Sequence, residues 1–371
     1  MALEKTYDAV VIGAGIAGAA LGAHLARRGL SVVVLEAEAQ PGYHATGRSA
    51  AFWLESYGGP VMAPLAAASR AFLEQPPANF SARGFLAPRG AIHVARTGDE
   101  AAFADLPRTI ATEPLDPARL RSLVPGLREQ WALGLAEPSC REIDVAGLHQ
   151  AYLASLRRAG GEVWCDSRLK SAAVSQGRWS IDLENGGTLI AERIVNAAGA
   201  WADEVAERCG VGALGLRPKR RTMVQLRVDR DDCATLPLVL DARGRFYFRG
   251  EGERTIWLSP HDEQDAEPGD SAPEEVDVAT AIARLEEVVD WNPERVERAW
   301  SGLRTFAPDR LLVMGPDPRC PSFFWYAGQG GTGIQTQPAA SALARSLFLG
   351  ENPGGPAKEL RAAPFDPARL L

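Results

Sequence analysis

Little in this sequence points to metal, disulfide or membrane chemistry. Its five cysteines, Cys140, Cys165, Cys209, Cys233 and Cys320, are odd in number, scattered, and never form a CxxC pair. That spacing argues against a disulfide framework or a zinc site and suits reduced thiols in a cytoplasm. Histidine is also scarce, at five residues, and no HxxE-type or Cys/His cluster appears, so no metal is expected. Basic charge is outnumbered. Lys and Arg total 40 against 47 Asp and Glu, and the net charge of −7 opposes nonspecific binding to nucleic acid. The longest apolar run, residues 9–23, is too short and too rich in glycine to span a membrane. Internal repeats and low-complexity segments are absent as well. The expectation is a cytoplasmic protein with no integral membrane segment, a peripheral place at the inner membrane being the alternative. At 371 residues, 46% hydrophobic and 23% charged, the chain has a globular composition and length for roughly two domains.

What is present is concentrated at residues 7–36, YDAVVIGAGIAGAALGAHLARRGLSVVVLE. A strand-like run at 9–12 leads into Gly13-x-Gly15-x-x-Gly18, a helical pattern follows to Arg28, Gly29 closes it, and a second strand at 32–35 ends on Glu36. Gly13 permits the sharp turn, Gly15 lets the backbone approach a pyrophosphate, and Gly18 lets helix and strand pack closely. The helix N-terminus offers N–H groups and partial positive charge to that anion. Glu36, eighteen residues beyond Gly18, stands where a carboxylate accepts hydrogen bonds from an adenosine ribose.

After Glu36 the loop AEAQPGYHATGRSAA is rich in small residues. Thr46 or Ser49 is expected to begin a helix there, with Arg48 meeting a phosphate. Helical spacing follows at 61–73, a strand–turn–strand pattern at 84–95, and two short proline-bearing helices near 101–106 and 117–123. Asp144 reads as the N-cap of a helix running through Arg158 to Gly160 and Gly161. Strand signals at 163–165, 169–174, 179–183 and 188–190, with an Asn185-Gly186 turn, suggest a small antiparallel meander inserted beside the nucleotide unit. RIVNAAG at 193–199 repeats the opening logic of strand, turn and helix. From 217 to 260 strand patterns interleave aromatics and arginines. An acidic linker (261–275), a helix (276–289) and a strand (295–306) come next. The chain closes with strand, glycine-rich turn and helix in FFWYAGQGGTGIQTQPAASALARSLFLG, placing N–H groups near 332–334 on an anionic or electron-rich ligand.

Four of these pieces, GAGIAG…E, GYHATGRSAA, VNAAGAW and GQGGTGIQ, together resemble the D-amino-acid-oxidase-like flavoprotein superfamily. PGYHATGRSAA, GLRPKRR, WSGLRTF and QGGTGIQT are more closely similar to bacterial FAD-dependent D-arginine and D-amino acid dehydrogenases. The resemblance covers nearly the whole chain. It implies an α/β fold of two domains: a discontinuous FAD-binding domain of Rossmann, glutathione-reductase-like type (1–80, 140–214 and 309–371) and an antiparallel-sheet substrate domain (81–139 and 215–308). It also implies FAD held without a covalent bond, since no cysteine sits in the C-terminal motif. The implied FAD contacts are Gly13, Gly15, Ile16, Ala17, Gly18, Glu36 and Ala37 in the opening unit, and Thr46, Gly47, Arg48 and Ser49 in the loop. Further along they are Ala198, Gly199 and Trp201, then Gly302 and Arg304, then Gly330, Gly331, Thr332, Gly333, Ile334 and Gln335.

In such an enzyme the amine's lone pair assists as the Cα–H leaves as hydride to flavin N5, so catalysis is mostly orientation. The site must clamp the substrate carboxylate, which arginine does with bidentate, charge-assisted bonds. By resemblance, Arg221, Arg304 and the Tyr247 hydroxyl fall where the family holds that carboxylate, and Tyr57 matches a lid tyrosine. Gly331 matches a carbonyl receiving the amine, and Gln335 a side chain near the flavin ring. Arg220 rivals Arg221, but neighbouring strand residues face opposite ways and only one of them should enter the site. Tyr247, flanked by Phe246 and Phe248, depends on register in the same way. Where the D-arginine type carries a histidine and a glutamate, this chain has Phe52 and Ala91. With Trp53 nearby and His93 on a site strand the pocket is expected to be apolar, the alternative being that Asp or Glu elsewhere on its wall, Glu55 first among them, restores a cationic preference.

The expected reaction is oxidative deamination of apolar or aromatic D-amino acids to an imino acid, which hydrolyses to a 2-oxo acid and ammonia. Oxygen or a quinone is the expected electron acceptor. The alternative is oxidation of secondary amines such as sarcosine or N-alkyl amino acids. An NAD-dependent dehydrogenase would leave the C-terminal motif without a role, and a flavin subunit lacking turnover would not need the two arginines.

Overall fold

Unbroken apolar runs fold here into strands covered on both faces. In the strand Thr6–Ile12, Ala9 and Val11 face one core and Val10 and Ile12 another. In Val32–Leu35, Val32 and Val34 part from Val33 and Leu35 in the same way, as the alternation of strand side chains requires. The computed structural model describes residues 5–104, 106 and 110–371. Its helices are α1 (Ile16–Ala26), α2 (Gly59–Glu74), α3 (Pro117–Leu123), α4 (Val145–Arg158), α5 (Ala202–Arg208), α6 (Glu275–Val288) and α7 (Gly333–Leu349).

The described strands form three sheets in a mixed α/β fold. The first sheet has eight strands, six of them in the order Leu169–Ser175, Arg178–Leu183, Thr188–Asn196, Thr6–Ile12, Val32–Leu35 and Glu162–Trp164. Cys320–Ala327 runs parallel to the end of Thr188–Asn196 and carries Val313–Asp317 antiparallel at its outer side. The second sheet, mostly antiparallel, has nine strands around Arg217–Val228, which pairs with Pro293–Phe306 along almost its whole length. A three-stranded sheet joins Phe52–Trp53, Arg141–Ile143 and Leu86–Pro88. Helix α1 is buried on nearly every side because its alanines and glycines let strands and helices close in; a Cβ on Gly22 would lie 2.9 Å from the Val34 side chain. Asp144 caps α4 by accepting the Gly147 N–H at 2.8 Å. On the second sheet, α6 packs Ala281, Leu285 and Val288 against Val224, Leu226, Phe246 and Phe248.

Several expected elements differ. The strands after residue 160 are not an insertion beside the nucleotide unit. Thr188–Asn196 is one strand whose first half pairs with Arg178–Leu183 and whose length runs parallel to Thr6–Ile12. The strands expected separately at 188–190 and 193–199 are one: Arg193 lies over the Phe348 ring at 4.3 Å and the strand continues beneath it. Residues 84–95 form no hairpin. Leu86–Pro88 pairs with Arg141–Ile143, whereas Ala91–Ala95 pairs with Leu133–Glu137 and Leu238–Asp241. No helix begins at Thr46 or Ser49; residues 41–48 make successive turns, and the next helix is α2. The first proline-region helix shrinks to a single turn, Glu100–Phe103, and residue 105 of its expected span lies outside the described residues. The acidic linker holds a short strand, Gln264–Asp265, paired with Arg217–Val228. Among the described residues no helix is long and apolar enough to cross a membrane.

Candidate active site

Four loops leave the carboxyl ends of parallel strands at one level of the first sheet. Ile12 aligns with Leu35 and Asn196, and Asn196 with Trp325. Gly13, Glu36, residues 197–199 and the turn at 329–331 follow those ends, and all border one long cleft. Crevices of this kind, beyond the carboxyl ends of parallel strands, hold ligands in open α/β sheets.

Gly13 turns with φ +99°, and a Cβ there would sit 2.6 Å from the Ala197 carbonyl oxygen. A Cβ on Gly18 would come within 1.9 Å of the Gly13 carbonyl oxygen, so helix and turn meet only because both residues are glycine. Glu36 is buried, and its carboxylate accepts the N–H groups of Ala14 (3.0 Å) and Glu38 (3.1 Å). Burial raises its pKa, while those N–H groups pull the other way. Thr46 begins no helix. Its hydroxyl accepts the Ile16 N–H at 3.0 Å and so occupies part of the α1 N-terminus. His149 of α4 bonds the Ala14 carbonyl at 2.9 Å. Asn196, not anticipated from the sequence, closes the second crossover, donating to the Ala202 carbonyl at 2.7 Å and accepting the Ala198 N–H at 3.3 Å.

These residues fit a dinucleotide. Gly13 and Gly15 border the cleft with bare backbone, and the first turns of α1 and α7 lie along it with their N–H groups. Ile16, Ala17, Ala37, Ser49, Ala198, Gly199, Trp201, Gly302, Gly330, Gly333, Ile334 and Gln335 line the same cleft. Gly18, Gly47 and Thr332 stand behind its wall. Gly47 packs against the Gly42 carbonyl, and Thr332 donates to the Gln329 carbonyl at 3.0 Å. Arg48 lines the cleft, but its guanidinium is engaged by Asp270 and by the carbonyls of Ser271 (2.9 Å) and Ser301 (3.1 Å), which corrects the expectation of an arginine reserved for phosphate.

At the other end of the cleft the second sheet contributes Arg221, Met223, Tyr247 and Arg304. Strand alternation separates the adjacent arginines. Arg220 turns to Glu274 and, at 2.8 Å, to Asp277 at the start of α6, and Arg221 turns to the cleft. Arg221 Nε donates to the Asp262 carbonyl at 2.7 Å and Nη2 to Glu263 at 3.3 Å, while Nη1 is buried without a partner. Arg304 donates through Nη1 to the Tyr57 hydroxyl at 2.6 Å. Burial alone would raise the Tyr57 pKa, but the charges of Arg304 and Arg221 outweigh it and lower that pKa. Tyr247 faces the cleft side, its hydroxyl 3.0 Å from the Met223 sulfur, while Phe246 and Phe248 stack in the core beneath α6. Phe52 meets the Tyr57 and Tyr247 rings edge-on at 6.4 and 5.7 Å. A Cβ on Gly331 would lie 2.7 Å from the Tyr57 hydroxyl and 3.1 Å from Arg304 Nη1. Gln335 borders the cleft, yet its amide is taken up by the Leu54 N–H (2.9 Å) and the Tyr57 carbonyl (3.2 Å).

The expected pocket wall is corrected at three positions. Trp53 points away into the core under α2, donating to the Ala66 carbonyl at 3.1 Å. Ala91 lies a layer behind the cleft, buried with Leu54, Cys140 and Leu238. His93 pairs with the fully buried Glu137 at 2.9 Å, and neither lines the cleft. Glu55 is likewise off the cleft, its pKa raised by burial and by Glu137. His44 lines the cofactor end and pairs with Glu38 at 3.0 Å. The sequence reading passed over the start of the acidic linker. There His261 sits edge-on to Tyr57 and Tyr247, at 6.4 and 5.6 Å, and Asp262 and Glu263 hold Arg221. Nothing in a polar stretch between strands signals such a return. Among the described residues no group of three or more His, Cys, Asp or Glu is placed to hold a metal ion.

With this geometry in view, comparison with known proteins is direct. The family model described as "FAD dependent oxidoreductase" (DAO) matches residues 8–347. Human mitochondrial dimethylglycine dehydrogenase is 29% identical over 274 residues, covering 70% of this chain and 31% of that protein. Glycine oxidase of Pseudomonas aeruginosa is 28% identical over 187 residues, covering 50% of this chain and 48% of that protein. The chain thus spans less than half the length of either curated relative. The crystal structure of glycine oxidase from Geobacillus kaustophilus superposes with a TM-score of 0.83 over 98% of both chains at 22% identity, a likeness of fold. A family match from residue 8 to residue 347, on a chain whose glycine turns and buried acid form a dinucleotide cradle, makes this protein a member of the DAO family of FAD-dependent oxidoreductases.

Proposed function

We propose that this protein oxidises free amino acids carrying apolar or aromatic side chains, in the D configuration, to imino acids. The observation that carries the reading is the Arg221–Arg304–Tyr57 cluster, in which one buried guanidinium nitrogen of Arg221 has no partner. A buried donor left unpaired is costly, and a substrate carboxylate is the natural acceptor for it. Arg304 and the Tyr57 hydroxyl would bind the same carboxylate from the other side. Phe52, Met223 and the Tyr247 ring line the space beyond and receive the side chain. Burying a leucine- or phenylalanine-sized group contributes roughly 1.5–3 kcal/mol, whereas a cationic side chain would lose its water without meeting a carboxylate. The D configuration rests on the resemblance of the motifs.

When bound, FAD supplies the acceptor for two electrons. The chain's own residues hold the carboxylate, exclude water with aromatic rings and fix the amine toward the Gly331 carbonyl, so their contribution is orientation. In the same reading the cofactor side is built from 1–80, 140–214 and 309–371 and the substrate side from 81–139 and 215–308, with FAD held non-covalently.

The second reading, oxidation of a secondary amine, is favoured by the similarity to dimethylglycine dehydrogenase over 70% of the chain. Anaerobic mixing with D-Leu, D-Phe, D-Met, D-Arg, glycine, sarcosine and N-methyl-D-leucine separates the two. The proposal expects the flavin absorbance to bleach fastest with D-Leu, D-Phe or D-Met. Faster bleaching by sarcosine or N-methyl-D-leucine establishes the second reading, and a tenfold preference for D-Arg overturns the apolar pocket. Acid precipitation should release the yellow colour into the supernatant; colour left in the pellet contradicts non-covalent binding.

A further inference from the structure

The segment that carries Tyr57 is held from two sides, by Gln335 at the cleft wall and by the buried Glu137, which does not line the cleft. Tyr57 and Leu54 close a turn through the Tyr57 N–H and the Leu54 carbonyl at 3.1 Å. Gln335 of α7 ties the two ends of that turn, accepting the Leu54 N–H and donating to the Tyr57 carbonyl. The remaining inward N–H, that of Ser56, donates at 3.3 Å to Oε1 of Glu137 from the second sheet. Glu137 is 0% exposed, and its other oxygen meets His93 Nε2 at 2.9 Å.

A carboxylate so deep is costly unless every oxygen is bonded, and stability alone would be served as well by an apolar side chain. Here both oxygens are used, and one of them is aimed at the turn whose next residue bonds Arg304. Gly58 and Gly59 follow at φ +104° and +77°, and α2 begins at Gly59. Glu137 is the anchor that holds the middle of the turn, at Ser56.

We propose that Glu137, oriented by His93, is a positioning residue: it fixes the turn at 54–57 so that the Tyr57 hydroxyl stays on Arg304 and presents a rigid wall to the substrate carboxylate. The inference rests on the amino-acid reading of the site. It assigns a role in substrate binding to a buried pair that does not itself line the cleft, and it makes Tyr57 a fixed element of the site.

A double-mutant cycle tests it. Glu137→Ala and Tyr57→Phe are made singly and together in the full FAD-loaded protein. Benzoate, an apolar carboxylate, is titrated while the flavin spectrum is followed. Glu137→Ala should weaken benzoate about tenfold when Tyr57 is present and by less than about twofold in the Tyr57→Phe background, a non-additivity of the size found for coupled neighbours. Equal losses in both backgrounds overturn the inference, because a generally loosened fold would act on both alike. Glu137→Gln, which keeps the shape, serves if the alanine variant fails to load FAD; the same sign of coupling is expected, at about threefold. A wild type that is reduced by amino acids but shows additive losses sinks this inference alone. A wild type that neither binds benzoate nor is reduced sinks the amino-acid reading, and this inference with it.

Discussion

At the scale of single residues the site depends on which way a side chain faces. Arg221 and Arg220 are neighbours in one strand, and alternation sends one to the cleft and the other to Glu274 and Asp277. A strand there made it legible that only one of the two enters the site, while the choice of Arg221, like the inward face of Tyr247, rested on the resemblance of the motifs. Trp53 and Ala91 were not legible, because the strand Phe52–Trp53 is two residues long and Ala91 belongs to a different sheet. His261 was invisible for another reason: it acts through a loop that returns to the site, and burial beside Arg221 and Arg304 lowers its pKa to about 3. The same two arginines lower the Tyr57 pKa below the ordinary value of about 10, against the effect of burial. As pH rises through that lowered pKa, the phenolate repels a carboxylate, so kcat/KM should fall on the alkaline side below pH 10. Tyr57→Phe should remove this alkaline limb, and an unchanged limb would assign it to another group.

Among elements, the strand–turn–helix of residues 6–26 is the most legible because three glycines leave it little alternative. The Gly18 contact with the Gly13 carbonyl admits no Cβ without moving backbone. Overpacking of this kind costs about 1–3 kcal/mol, concentrated here at the mouth of the cofactor cleft. Gly18→Ala should therefore purify with most of its FAD lost, measured as the ratio of flavin to protein absorbance; a full complement would show that the turn tolerates the shift. Longer-range pairing was less legible. Thr188–Asn196 was expected as two pieces, at 188–190 and 193–199, and Phe348 of α7, distant in sequence, explains how Arg193 is accommodated in one continuous strand. Thr46 looked like a helix start because it is one half of a cap: the helix it caps is α1, thirty residues earlier.

For the whole molecule, two large sheets bring the cofactor loops and the arginine strands to one cleft, an arrangement implied by motif order but not by any local pattern. Folding also sets its acid tolerance. His24 and His261 are held neutral, chiefly by burial and then by nearby arginines, with pKa values lowered to about 3. An unfolded histidine titrates near 6.5, so between pH of about 6.5 and about 3 the unfolded chain binds protons that the native state refuses. Their contribution to stability is thus complete above that window and is lost as pH falls through it. Tm should drop from pH 7 to pH 4, and His24→Gln should flatten the drop; an identical slope in the variant would remove His24 from the account.

The central claim is that the arginine pair selects a carboxylate. The most direct measurement is the anaerobic rate of flavin bleaching by D-leucine against its methyl ester, in wild type and in Arg304→Ala. A hydrogen bond to a charged group contributes roughly 1.5–3 kcal/mol, or about ten- to a hundredfold in kcat/KM. The ester should bleach the wild type slower by at least that factor, and Arg304→Ala should slow D-leucine by a similar factor while keeping its FAD and losing most of the discrimination. Equal rates for acid and ester in the wild type would contradict the account.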